Sequence, residues 1–101
     1  MRRTILKTVT DFPEYSSGIP HSHSMLTIKV PYGTRPLTAQ VQYADQINVW
    51  WECDTDAPLD QSVILHCIGT GTVLMLPDNA RHIGAVQLHG YVWHIYWEPV
   101  K

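Results

Sequence analysis

The chain has only two cysteines, Cys53 and Cys67, in 101 residues. That is too few for the disulfide frameworks that hold small secreted domains together. Seven Lys and Arg stand against nine Asp and Glu, a formal charge of −2, which argues against duplex nucleic acid as a partner. No apolar run reaches the length of a membrane span or a secretory signal. No segment sustains a helical period, and no G-x-S-x-G elbow, P-loop or H-E-x-x-H motif occurs. These absences predict a reduced, cytosolic, non-enzymatic protein with no cofactor and no membrane or duplex nucleic-acid partner.

What remains is a succession of alternating segments. Arg81–Trp97 reads as a β-hairpin turning at His89-Gly90. That turn puts Leu88 opposite Tyr91, Val86 opposite Trp93 and Gly84 opposite Ile95. Val86, Leu88, Tyr91, Trp93, Ile95 and Trp97 then share one face, and Ile83, Ala85, Gln87, Val92, His94 and Tyr96 the other. A glycine opposite Ile95 predicts the close approach of a backbone or a ring. Upstream, Arg3–Val9, Ser24–Val30, 37–43 and Ile47–Cys53 alternate in the same way. Val63–Ile68 is apolar on both faces apart from His66, as a central strand would be. Turn signals at regular spacing predict an all-β antiparallel sandwich or small barrel of about six to seven strands in a single domain, 1–101. Residues 12–24 read as a loop insertion and 54–61 as an acidic loop.

The segments TILK, LTIKV, AQVQ with INVWWECDTDAP, HCIGTG, LPDNARHIGAVQ and HGYVWHIYW follow one another in this order. Their succession resembles a family of short uncharacterised bacteriophage and prophage proteins. In that family a first strand is followed by a VQ-turn-LWALVD hairpin, an IGTG segment and a terminal hairpin. The likeness spans most of Thr4–Glu98. The chain departs from the pattern in the Phe12–Ser24 insertion and in Trp50-Trp51, where the family usually has one tryptophan. The resemblance implies an accessory phage protein acting in the cytoplasm of the bacterial host. It carries no settled activity.

Three groups of residues are candidates for chemistry. Glu52, Asp54, Asp56 and Asp60 lie in a segment without Lys or Arg. With Trp50, expected outside the core, they predict a surface that steers a basic protein partner; Trp97 is a second candidate surface ring. Trp51 and Trp93 are expected in the core. Gly69, Thr70, Gly71 and Thr72 form a turn whose amides would suit a phosphate, although such a strand break is more often simply a bulge or tight corner. His21 and His23 could share a metal ion, but two ligands fall short of a closed site and no metal is predicted.

The leading expectation is a non-catalytic protein that blocks a bacterial host factor, in anti-phage defence. The alternative is sequestration of a nucleotide-like signalling ligand at a subunit interface. A metal-assisted hydrolase and a virion component come behind both. So many rings on both strand faces predict a homodimer or higher homo-oligomer.

Overall fold

The computed structural model describes residues 2–100, without the side chain of Ala44. Its strands are β1 (Arg3–Val9), β2 (Tyr15–Ser16), β3 (Ile19–Pro20), β4 (His23–Val30), β5 (Arg35–Gln42), β6 (Gln46–Asp54), β7 (Gln61–Gly69), β8 (Arg81–Leu88) and β9 (Tyr91–Val100). Seven of these are long, and every pairing is antiparallel. A three-stranded sheet runs β1-β6-β5 and a four-stranded sheet runs β4-β7-β9-β8, with β2-β3 as a separate small hairpin. The expected all-β sandwich is therefore observed. The 12–24 insertion is more than a loop, since it contains β2 and β3 and passes into β4 at His23.

The alternation read from the sequence accounts for the core. Ile47, Val49 and Trp51 of β6 meet Val63, Leu65 and Cys67 of β7, Trp93 and Ile95 of β9, and Val86 and Leu88 of β8, and Cys53 of β6 is buried as well. Burial of these side chains is the main stabilising term of such a fold. Trp51 is fully buried, and its indole N–H donates to Thr8 Oγ1 at 3.0 Å. The Trp93 indole N–H is buried with no partner.

The terminal hairpin has the expected register, with Gly84 opposite Ile95, Val86 opposite Trp93 and Leu88 opposite Tyr91. His89 and Gly90 both have positive φ, 53° and 83°, as a two-residue turn matched to strand twist requires. One assignment is corrected. A register shift between His82 and Gly84 makes Ile83 the extra residue of a bulge, and it packs against the core instead of facing out. The hairpin is not wholly interior: β8 is a sheet margin beside β5 and only β9 lies within the sheet.

Strands β7 and β8 both run antiparallel to β9, which lies between them, so they are parallel to each other. Segment 70–80 must therefore return along the length of the sheet before β8 can start. The core occupies the inner face, and the segment lies on the outer one, where Leu74 meets Ile68, His94 and Tyr96. We call it the strap.

Candidate functional site

The outer face of the four-stranded sheet gathers four of the six histidines. The registers define two rows across it. One row is His23, Ile68, His94 and Ala85; the next is Met25, His66, Tyr96 and His82. Neighbouring strands lie about 4.8 Å apart, so imidazoles on diagonal positions reach each other.

Two hydrogen-bonded chains result. His66 Nε2 lies 2.9 Å from Glu98 Oε1 and His66 Nδ1 lies 2.9 Å from His23 Nε2. In the tautomer in which His66 donates from Nε2 to the Glu98 carboxylate, its Nδ1 accepts from His23. His66 is 2% exposed although it faces outward, and these contacts satisfy both its nitrogens. Burial, and secondly repulsion from His66, lower the pKa of His23 and favour its neutral form. In the second chain, the Thr70 hydroxyl donates to the Val92 carbonyl at 3.2 Å. It therefore accepts from His94 Nε2, also at 3.2 Å, and His94 Nδ1 in turn accepts from His82 Nε2 at 3.3 Å. His82 stands edge-on to Tyr96, with ring centroids 5.1 Å apart.

Where the strap leaves β7, a cavity of about 210 Å³ opens between it and the sheet. Ile68 and Leu74 give it apolar walls; Thr70, Thr72, His94 and Tyr96 give it polar groups. The glycine turn foreseen from sequence is thus part of a cavity, but by another route than expected. Three of its four amides are already used: Gly69 N–H bonds to the Ser22 carbonyl, Thr70 N–H to Val92 and Thr72 N–H to Gly69. Side chains, not a nest of amides, are what it offers a ligand. Larger clefts, of about 310 and 430 Å³, lie at loop junctions near His89 and near Tyr32. Neither contains a hydrogen-bonded histidine chain.

The acidic surface is also revised. Trp50 faces outward from β6, half-buried, opposite Lys7 and Thr38. The acids beside it have basic neighbours that are distant in sequence. Glu52 Oε1 is 2.6 Å from Arg35 Nε and 3.3 Å from Arg3 Nη2, and these bonds, Arg35 foremost, lower its pKa. Asp54 accepts the Asp56 N–H in a turn, Asp56 lies 3.8 Å from Arg2, and Asp60 is exposed in the following loop. The negative field is therefore opposed in part: Arg3 of β1 and Arg35 of β5 pair with Glu52, and Arg2 approaches Asp56. Trp97 is a further correction: it lies on the core face, half-buried, edge-on to Trp51 at 6.0 Å.

His21 and His23 do not converge. His21 precedes β4 and turns back to the hairpin, its Nε2 2.6 Å from Ser16 Oγ and its Nδ1 3.7 Å from Glu14 Oε2. That order of groups matches a hydrolase triad, but the His21 and Glu14 side chains are solvent-exposed, and of the three only Glu14 lines a cavity, one of about 180 Å³ that holds neither Ser16 nor His21. Among the described residues, no three His, Cys, Asp or Glu side chains form a metal cage. The roles of His82, Tyr96, Glu98 and Leu74 were missed. The period-two pattern places His94 and Tyr96 outward, but the pairing of β7 with β9 that brings His66 to Glu98 leaves no local signal.

A family described as a domain of unknown function (DUF7352) matches residues 1–101. No curated protein and no solved structure matches the chain.

Proposed function

We propose that this chain, which belongs to the DUF7352 family, is a non-catalytic protein that binds a small nucleotide-like ligand between the strap and the histidine face. The observation that carries this is the cavity in which Thr70, Thr72, His94 and Tyr96 meet over Ile68 and Leu74. Few polar groups placed over apolar walls are what a small-molecule site needs. Thr70 and His94 are oriented by their own hydrogen bonds, which lowers the ordering cost of binding. At about 210 Å³ the cavity is smaller than the ~300–1,000 Å³ of sites that enclose drug-sized ligands. It has room for one ring or one phosphoryl group, and the rest of the ligand lies across the strap.

A second subunit would complete the site. Val73 and Met75 beside it are 78% and 77% exposed, and a contiguous exposed apolar patch favours a contact. In the phage-infected cytoplasm that the family resemblance implies, holding a signalling nucleotide this way would suppress host defence. Blockade of a host protein through Trp50 and the acids loses part of its electrostatic support, since Arg3 and Arg35 neutralise Glu52.

Isothermal titration with a panel of mono- and dinucleotides tests the reading. Binding should weaken in Thr70→Val and His94→Gln and stay unchanged in Asp54→Asn. A panel with no binder, or equal affinity in all three variants, refutes it.

A further inference from the structure

We propose that His23, Met25 and His66 form a binding site for a single copper(I) ion on the β4–β7 side of the histidine face. The donors come from geometry. His23 and Met25 are two residues apart on the same face of β4. Met25 stands directly opposite His66 in the β4–β7 register, at the closest cross-strand spacing a sheet provides. His23 Nε2 and His66 Nδ1 already point at one another across 2.9 Å. Two imidazoles on one metal, with bonds of ~2.0–2.1 Å, sit ~3.4 Å apart. The pair opens by ~0.5 Å to admit an ion, within reach of side-chain rotation, since His23 is only half-buried.

The outer shell is also present. Metal-bound histidines characteristically give their other N–H to a carboxylate, which fixes the ring and its tautomer. Glu98 takes this part for His66, 2.9 Å from Nε2, and leaves the Nδ1 lone pair directed at the site. Copper replaces the shared hydrogen bond without release of a proton, because His23 moves its hydrogen from Nε2 to the solvent side at Nδ1. The oxidation state of the ion does not change.

The donor set selects the metal. Two neutral imidazoles and a thioether form a soft, uncharged shell, which favours copper(I) over zinc, calcium or magnesium. A thioether is outside the His, Cys, Asp and Glu groups that fail to form a cage here. Met25 is 53% exposed, so its thioether is open to an ion arriving from solvent. The site is separate from the ligand cavity, since Ile68 lies between His23 and His94 in their row.

Anaerobic titration of the full chain with copper(I) against bicinchoninate should show one equivalent bound. Copper-edge absorption should show two nitrogen neighbours and one sulfur. Loss of an outer-shell partner costs roughly 10–100-fold in metal affinity, so Met25→Leu, which removes a ligand at an exposed position, should cost at least as much and eliminate the sulfur signal. His23→Gln should do likewise to nitrogen. His21→Gln and His82→Gln should bind copper as the parent does. Failure of the parent to compete with bicinchoninate, undiminished binding by Met25→Leu, or loss of binding in His21→Gln overturns the assignment.

Discussion

Two glycine substitutions should separate in sign. A methyl group built on Gly69 falls 3.2 Å from Trp93 Cζ3 and 3.6 Å from Cε3. Carbon atoms prefer ~3.5–4.0 Å, so the ring must withdraw by a few tenths of an ångström. It has little room, being 3% exposed and packed in the core with Val86 opposite. Overpacking of this kind costs ~1–3 kcal/mol. Against it stands ~0.4–1 kcal/mol gained by restricting the unfolded chain. Gly69→Ala should therefore destabilise by up to about 2.6 kcal/mol, or as much as several degrees of melting temperature at this chain length. Gly84→Ala adds the same methyl group where the nearest atom is the Ala39 backbone N at 3.9 Å, an ordinary contact. It should be neutral or stabilising by up to ~1 kcal/mol. Urea melts followed by tryptophan fluorescence would measure both. A Gly69→Ala protein as stable as the parent, or Gly84→Ala as the more damaging change, refutes the packing at Trp93.

Other expectations follow from single groups. Burial pushes the Cys67 thiol up to about 12, so at pH 8 it should resist Ellman's reagent until the protein unfolds; rapid labelling of the native chain would contradict this. Trp51→Phe breaks a bond to Thr8, whereas Trp93→Phe removes an N–H without a partner. Denaturant melts should thus show the Trp51 change to be the costlier by ~1 kcal/mol, and the reverse order would count against it. The Arg35 and Arg3 guanidinium groups hold the Glu52 carboxyl below its ordinary value. Its contribution is therefore complete above the unfolded-state pKa and is lost as pH falls through the lower folded pKa. Acid-melt curves of Glu52→Gln should lack that part of the pH dependence, and identical curves would disprove it.

Strand identities were legible wherever the information was local. Alternation from Val86 to Trp97, with His89-Gly90 between, determines the last hairpin, and the observed register agrees from Leu88 opposite Tyr91 as far as Gly84 opposite Ile95. Ile83 was misassigned because a bulge alters the period without altering composition. The close approach sought at Gly84 occurs more tightly at Gly69, whose neighbour Trp93 is on another strand. Pairing between strands far apart in sequence also places Arg3 and Arg35 on Glu52 and Glu98 on His66. Thr70 and Thr72 could be singled out by their turn, whereas Tyr96 and Leu74 join them only once the strap has crossed the sheet.

The position of β9 between β7 and β8 has a consequence for biosynthesis. A chain that has been made only as far as Leu88 possesses β8 but nothing to join it to β7, because the strand that bonds to both has yet to be made. Until residues 91–100 emerge, the β7 edge stays an open template with a row of unpaired amides and carbonyls, the arrangement that invites pairing with another chain. Strand β1 has earlier had to wait for β6 across more than forty residues, from Leu6 to Trp51, a non-local closure of the slow kind. The four-stranded sheet is therefore completed from its middle by the last of its strands to be synthesised, and an interruption of translation inside Tyr91–Val100 should yield aggregates instead of a partly folded domain.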